Sequence, residues 1–330
     1  MNSSATAMQY GSVDGVKKPV SRMVLGTMVV TTGHMENGFR LLDAAMEAGI
    51  NTFDTAHVYG NGSCERAFGQ WIKDRGVRGQ IVIIGKGAHH NEDRKRVTPY
   101  DITSDLHDSL ARMQTDYIDI YLLHRDNPEV TAGTLVEILN EHQRSGLIHS
   151  FGGSNWSHER IAQANEYAAG KGLTPFTSSS PNFCLPVQKE MLWEGCAALN
   201  GEENKPAFEW YKENRMPVFA WSSLGSGFMS GRLSRESYEA NPDAFDPCFR
   251  RAFCHEENFQ RLDRARQMAE EKGVTLPQLA LAYVLSQPLD IHALVGAAKE
   301  EEIRENLHAF ELDLSEEERA WLNLERETKP

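Results

Sequence analysis

No stretch of this sequence approaches the roughly 18 consecutive apolar residues of a membrane-spanning helix, so no span and no membrane partner are expected. Residues 1–18 are polar and rich in Gly and Ser, without the apolar segment of a secretory signal. Cysteine is sparse and unpaired in pattern. Cys64, Cys184, Cys196, Cys248 and Cys254 are odd in number and never form C-x-x-C, so they read as reduced thiols rather than a disulfide frame. The Asn-x-Ser triplets at Asn61 and Asn155 are then chance matches, and a cytoplasmic location is expected. Basic charge is also in deficit: 34 Lys and Arg against 47 Asp and Glu leave a formal net charge of -13. Such a surface repels polyanions, which argues against a nucleic-acid partner while leaving room for a local phosphate pocket.

What is present is an ordinary globular mixture, 40% hydrophobic and 25% charged, in 330 residues. That length suits one large α/β barrel or two small domains. Short β-branched runs alternate with amphipathic stretches almost from end to end. Strands are expected at 22–28, 50–55, 80–86, 117–123, 148–153, 176–180, 217–221 and 291–296. Helices are expected at 38–48, 63–75, 103–113, 131–145, 158–169, 206–214, 256–272, 277–286, 301–309 and 315–324. Eight strand-then-helix units without a composition break predict a single (β/α)8 TIM barrel domain over 1–330, with 1–18 as a polar lead-in. A doubly wound open sheet would place a glycine-rich fingerprint after the first strand, and Gly26-Thr27-Met28-Val29-Val30 lacks it. Two stretches, 182–205 and 230–257, read as long loops at the C-terminal face, where such insertions shape substrate pockets.

Polar residues fall where barrel active sites assemble, at the C-terminal ends of strands. Asp54 ends the second strand, Lys86 the third and His124 the fourth, while Tyr59 follows the second after a short turn. A lysine ending the run Ile-Val-Ile-Ile-Gly is buried at one end and needs a carboxylate, for which Asp54 is the nearest candidate. A phenol, with an ordinary pKa near 10, is a poor proton donor at neutrality. A neighbouring ammonium favours the phenolate, so Lys86 is expected to lower Tyr59 into use. His124 could donate to the same carbonyl oxygen. Each residue also has a plainer reading: a barrel-end ion pair, a turn aromatic, a core histidine. His89-His90 has no matching metal-ligand spacing elsewhere, so no metal is expected and the pair reads as a polar loop beside the pocket.

Phe53-Asp54-Thr55-Ala56-x-x-Tyr59-Gly60, Lys86 after its apolar strand, and Tyr121-Leu122-Leu123-His124 occur in the order and spacing of one family. The chain resembles the aldo-keto reductase superfamily over nearly its whole length. The resemblance implies that Tyr59 is the general acid, with Asp54, Lys86 and His124 completing a tetrad. It also implies a nicotinamide cofactor, with Gly26 and Thr27 at the end of the first strand, and Ser154 and Asn155 on the carboxamide. Trp221 would stack on the nicotinamide ring, and Ser222, Leu224 and Ser226 belong to the loop around the pyrophosphate. Gly296, Lys299, Glu302 and Asn306 fall at the adenine end.

Family frequency favours NADP(H), while Glu300, Glu301 and Glu302 keep NAD(H) open because they oppose a 2′-phosphate dianion. Many relatives carry a glutamine on the sixth strand where this chain has Ser178-Ser179-Ser180. The substrate implied is a small carbonyl compound or sugar, with His57 and Phe183 as candidates close to it. Two other functions remain in view. One is a Schiff-base lyase using Lys86 as nucleophile. The other is a cofactor-sensing binding module, like the channel β-subunits that share this barrel.

Overall fold

The computed structural model describes residues 7–330. Among them, β1 (Tyr10–Gly11) and β2 (Val20–Ser21) form an antiparallel pair. Eight parallel strands follow and close into a barrel. They are β3 (Met23–Gly26), β4 (Thr52–Asp54), β5 (Val82–Gly87), β6 (Ile118–Leu123), β7 (Ile148–Ser154), β8 (Ser178–Ser180), β9 (Val218–Ala220) and β10 (Ile291–Val295). Closure is made by β10 returning to β3, with Ala293 beside Met23. The helices α1 (Met35–Glu47), α2 (Ser63–Arg75), α3 (Pro99–Met113), α4 (Ala132–Arg144), α5 (His158–Lys171) and α6 (Lys205–Asn214) follow β3 to β8 in turn. After β9 come α7 (Arg235–Ala240), α8 (Pro247–Phe253), α9 (Glu256–Lys272) and α10 (Leu276–Leu285), and after β10 come α11 (Glu300–Asn306) and α12 (Glu316–Leu322). This is the (β/α)8 barrel that the alternation predicted.

Strand periodicity divides the core in two. Phe53, Ile83, Tyr121, Phe151 and Ala220 point outward to the helices, whereas Val24, Val82, Ile84, Ile120, Leu122, Phe219 and Leu294 fill the barrel interior. On β7, a Cβ at Gly152 would collide with the Ser178 carbonyl oxygen, so only glycine lets β7 and β8 approach this closely.

Three details differ from the sequence reading, each for a local reason. The stretch after residue 6 is not merely a lead-in. The β1–β2 hairpin carries Val13 and Val20 into the interior cluster, and Lys18 pairs with the buried Asp119, so the barrel floor is sealed. Helix α3 starts at Pro99, not 103, because Thr98 caps the Asp101 amide and Asp101 caps back. Finally, 230–257 is no long loop. Ser234 and Asp246 cap α7 and α8, whose Tyr238, Phe249 and Phe253 pack with Phe228 and Phe259.

Candidate active site

The same alternation that fills the interior also aims the polar residues. Lys86 continues the inward series Val82, Ile84; His124 continues Ile120, Leu122; Trp221 continues Phe219. Asp54 follows the outward Phe53 and therefore points in. All four stand at the C-terminal rim, where apolar filling gives way to chemistry.

Lys86 Nζ donates to Asp54 Oδ2 at 2.5 Å and to the Thr55 carbonyl at 2.9 Å, and neither side chain is more than 4% exposed. Burial penalises both charges. On Asp54 it prevails over the attraction of Lys86 and leaves the carboxyl above its ordinary range. On Lys86, burial pulls the ammonium down, but Asp54 and Tyr59 together outweigh it and hold the pKa above normal. The lysine is a fixed cation.

Tyr59 enters through a tight reversal. Gly60, Asn61 and Gly62 all have positive φ, 54°, 51° and 84°, which turns the chain from the strand end into α2. The turn leaves the Tyr59 ring 5.1 Å from Lys86 Nζ and edge-on to His124, with ring centroids 5.8 Å apart. Its phenol pKa is raised, not lowered as expected from the ammonium alone. Desolvation is the largest influence; Lys86 opposes it and the charge of Asp54 adds to it. The sequence argument counted the cation but not the burial, nor the anion beside it. His124 is held well below its ordinary pKa by burial, with Lys86, His89 and Arg125 adding repulsion, so its ring is neutral. Its Nδ1 is sealed from solvent without a partner.

The residues assigned to the cofactor lie around the same rim. Gly26 ends β3, and Thr27 is buried with its hydroxyl donating to the Asp54 carbonyl at 3.0 Å. Ser154 Oγ donates to the Ser180 carbonyl at 3.1 Å. Asn155, at φ 62°, donates to Ser154 Oγ at 3.1 Å and accepts from the Trp221 indole N–H at 3.1 Å. The Trp193 ring, from the 182–205 loop, lies 5.7 Å from that of Trp221. Beyond Trp221, Ser222, Gly225, Ser226 and Gly227 have φ of 53°, 61°, 53° and 98°. Such left-handed runs turn backbone amides toward one side and make an anion cradle, and no heavy atom lies within 4 Å of a Cβ built on Gly227. Leu224, inside this loop, packs on the core.

At the far end, Gly296 is equally open. Lys299 stands at the N-cap of α11, and Asn306 is buried at its end. Glu302 is engaged twice, by the Ala298 amide at 2.8 Å and by Arg232 at 2.9 Å.

The two candidates for the substrate's neighbourhood are placed differently. His57 Nε2 faces Asp108 at 3.2 Å and Asp105 at 3.7 Å on α3, in a cleft shared with His89, His90 and Arg96. Phe183 is 2% exposed, stacks with Tyr283 and packs at a tilt on Phe208 in the core. On β8, Ser179 faces outward to Tyr211 and Ser180 donates to Phe219, while Ser178 Oγ is buried without a partner. His89, read from the sequence as part of a polar loop beside the pocket, packs its ring edge-on against His124, centroids 4.8 Å apart. Sequence reasoning missed Arg125 and Arg232. Arg125 was visible as the residue after His124; Arg232 had no signal, because its meeting with Glu302 spans 70 positions.

The sequence profile of the Aldo/keto reductase family matches residues 22–323. An aldo-keto reductase from Bacillus subtilis (strain 168) is 29% identical over 304 residues, covering 88% of this chain and 86% of that one. A probable voltage-gated potassium channel subunit beta from Oryza sativa subsp. japonica is 27% identical over 319 residues, 92% of each. A solved structure of a glycerol dehydrogenase from Gluconobacter oxydans superposes with a TM-score of 0.75, spanning 97% of this chain and 94% of that one. At 22% identity that likeness is one of fold. A profile match that runs from the first barrel strand into the final helix, on a closed (β/α)8 barrel, makes this chain a member of the aldo/keto reductase family of oxidoreductases.

Proposed function

We propose that this chain reduces aldehyde, ketone or sugar carbonyls with a nicotinamide cofactor, and that Tyr59 donates the proton. The observation that carries this reading is the Lys86–Asp54 contact at 2.5 Å beside the Tyr59 ring. A bound reduced nicotinamide supplies the hydride. Tyr59, protonated across neutral pH because burial raises its pKa, holds the proton that the developing alkoxide oxygen takes. Lys86 stabilises the phenolate left behind, and Asp54 keeps Lys86 charged and aimed. His124 is neutral and so carries one ring proton. With Nδ1 sealed away, Nε2 is the nitrogen left to donate to the same oxygen.

The residues present fit a dinucleotide. Ser154 and Asn155 would hold the carboxamide, Trp221 the ring face, and the left-handed loop of Ser222, Leu224 and Ser226 the pyrophosphate. Gly26 and Thr27 close the near side. Gly296, Lys299, Glu302 and Asn306 would meet the adenosine end. NADP(H) is the preferred form, because Arg232 draws Glu302 aside and adds a second cation near Lys299. Residues 1–330 act as one domain. A cytoplasmic site of action is supported by five free cysteines; among the described residues no helix is long and apolar enough to cross a membrane.

The test is a turnover panel of small aldehydes, ketoses and pyranoses with NADPH and NADH side by side. Multiple turnovers support the reading. Tight cofactor binding without turnover would favour a cofactor-sensing module, the alternative raised by the likeness to the rice channel subunit.

A further inference from the structure

Arg125 is 7% exposed, yet among the described residues no carboxylate pairs with it. Its one hydrogen bond runs from Nη1 to the His124 carbonyl oxygen at 2.9 Å. Three half-buried arginines have carboxylates, Arg78 with Asp119, Arg112 with Glu65 and Arg160 with Asp126, while Arg261 is held by Asn258 and Asn323 instead. The Arg160 pair matters most, since Asp126 is the neighbour of Arg125 and is already taken at 3.1 Å. A buried guanidinium without an anion is unfavourable unless something else supplies one.

The location says where that anion would come from. The His124 carbonyl that accepts from Arg125 also accepts from Asn155 Nδ2 at 3.4 Å, so the guanidinium sits between the tetrad and the proposed carboxamide site. Its stem runs under Gly195 of the 182–205 loop, Cδ lying 3.8 Å from where a Cβ would stand. The charge of Arg125 is felt by Tyr59, His89, His90, His124 and Cys196, which stand beyond the C-terminal ends of β4, β5, β6 and β8. Both His89 and His124 are held below their ordinary pKa by burial first, so these walls are neutral and offer no counter-charge. The sealed, partnerless polar atoms include His124 Nδ1 but no nitrogen of Arg125, so the guanidinium keeps an unpaired side that is not sealed off.

We propose that Arg125 determines specificity by receiving a carboxylate carried by the carbonyl substrate, so that the preferred substrates are oxo acids rather than neutral aldehydes. This rests on the carbonyl-reductase reading above. A planar guanidinium matches a carboxylate through two parallel hydrogen bonds, and the charge already buried there is matched only when such a substrate binds. The chain's net charge of -13 works against anions in bulk, so an anionic substrate needs a local unpaired cation such as Arg125.

The test compares 4-carboxybenzaldehyde with its methyl ester, and succinic semialdehyde with butanal, as kcat/KM in wild type, Arg125→Met and Arg125→Lys. The acid-to-neutral ratio is expected to exceed about 10 in wild type, to fall about 10- to 100-fold in Arg125→Met, and to be partly kept by Arg125→Lys. A ratio near one in wild type overturns the proposal. So does a uniform loss in Arg125→Met with the ratio intact, which is what a merely structural role predicts. If wild type turns over none of the four but reduces ketoses or pyranoses, the proposal is overturned; if nothing on that wider panel turns over, the reductase reading has failed, and terephthalate binding followed by tryptophan fluorescence decides the anion site. Saturable quenching lost in Arg125→Met supports it; no quenching in wild type overturns it.

Discussion

Asn155 holds the Trp221 indole N–H at 3.1 Å on its side-chain oxygen while its amide nitrogen donates to Ser154 at 3.1 Å. One side chain thus joins the ends of β7 and β9, and it does so from a left-handed backbone at φ 62° that asparagine tolerates well. Asn155→Ala is expected to weaken nicotinamide binding by about tenfold, the scale of one or two lost hydrogen bonds. Asn155→Gly, which relieves the backbone but not the side-chain loss, is expected to weaken it equally. Cofactor titration by tryptophan fluorescence checks both; recovery in the glycine variant would assign the effect to backbone strain.

The Asp54–Lys86 pair makes a prediction about stability. Removing either partner leaves an uncompensated buried charge, so Asp54→Asn or Lys86→Met should each cost about 3–5 kcal/mol in urea unfolding. The double variant should regain much of that stability yet remain inactive. Additive losses in the double variant would mean that the two side chains are not coupled in the fold.

Much of this site is legible in the sequence because a strand repeats every two residues. Once Val82 and Ile84 are read as interior, Lys86 must follow them, and His124 follows Ile120 and Leu122 in the same way. The turn after β4 is equally readable, since Tyr59-Gly60-Asn61-Gly62 suits consecutive positive φ. What stays hidden is whatever depends on distant segments. Val13 seals the floor only because the hairpin folds under the barrel, and Phe183 is a core residue only because Phe208 and Tyr283 reach it. The direction of the Tyr59 shift is hidden for the same reason: burial is a property of the assembled rim.

On the barrel floor, His292 is fully buried, its Nε2 has no hydrogen-bond partner and lies 3.9 Å from Asp290, and burial lowers its pKa to about 4. Unfolding restores an ordinary value near 6.5, so the unfolded chain binds more protons between those limits. The contribution of His292 to stability is therefore whole above pH 6.5 and lost as pH falls toward 4, on the order of 3 kcal/mol. Denaturant unfolding at pH 7 and pH 4.5 should show a smaller acid loss in His292→Phe than in wild type. An identical loss in both would remove His292 from the account.

Cofactor choice is expected to rest on Lys299 and Arg232. Replacing both by alanine should raise the KM for NADPH by about tenfold or more and leave that for NADH nearly unchanged, because only NADPH carries the 2′-phosphate. Equal effects on the two cofactors would place the phosphate elsewhere. The 2.9 Å contact between Arg232 and Glu302 adds a sharper case: Glu302→Gln should improve NADPH binding by releasing the arginine.

With Tyr59 as the proposed proton donor, reduction needs it protonated, so kcat should stay flat through neutrality and fall only above the ordinary phenol value near 10. Alcohol oxidation, which needs the phenolate, should rise in that range. Because Lys86 opposes the upward shift, residual oxidation by Lys86→Met should need still higher pH.

The proton-donor assignment is tested most directly by Tyr59→Phe, assayed for carbonyl-dependent NADPH oxidation and, separately, for NADPH affinity. The account predicts a fall in kcat of about 10²- to 10⁴-fold with the dissociation constant for NADPH within twofold of wild type. A variant that keeps more than a tenth of wild-type kcat would contradict it.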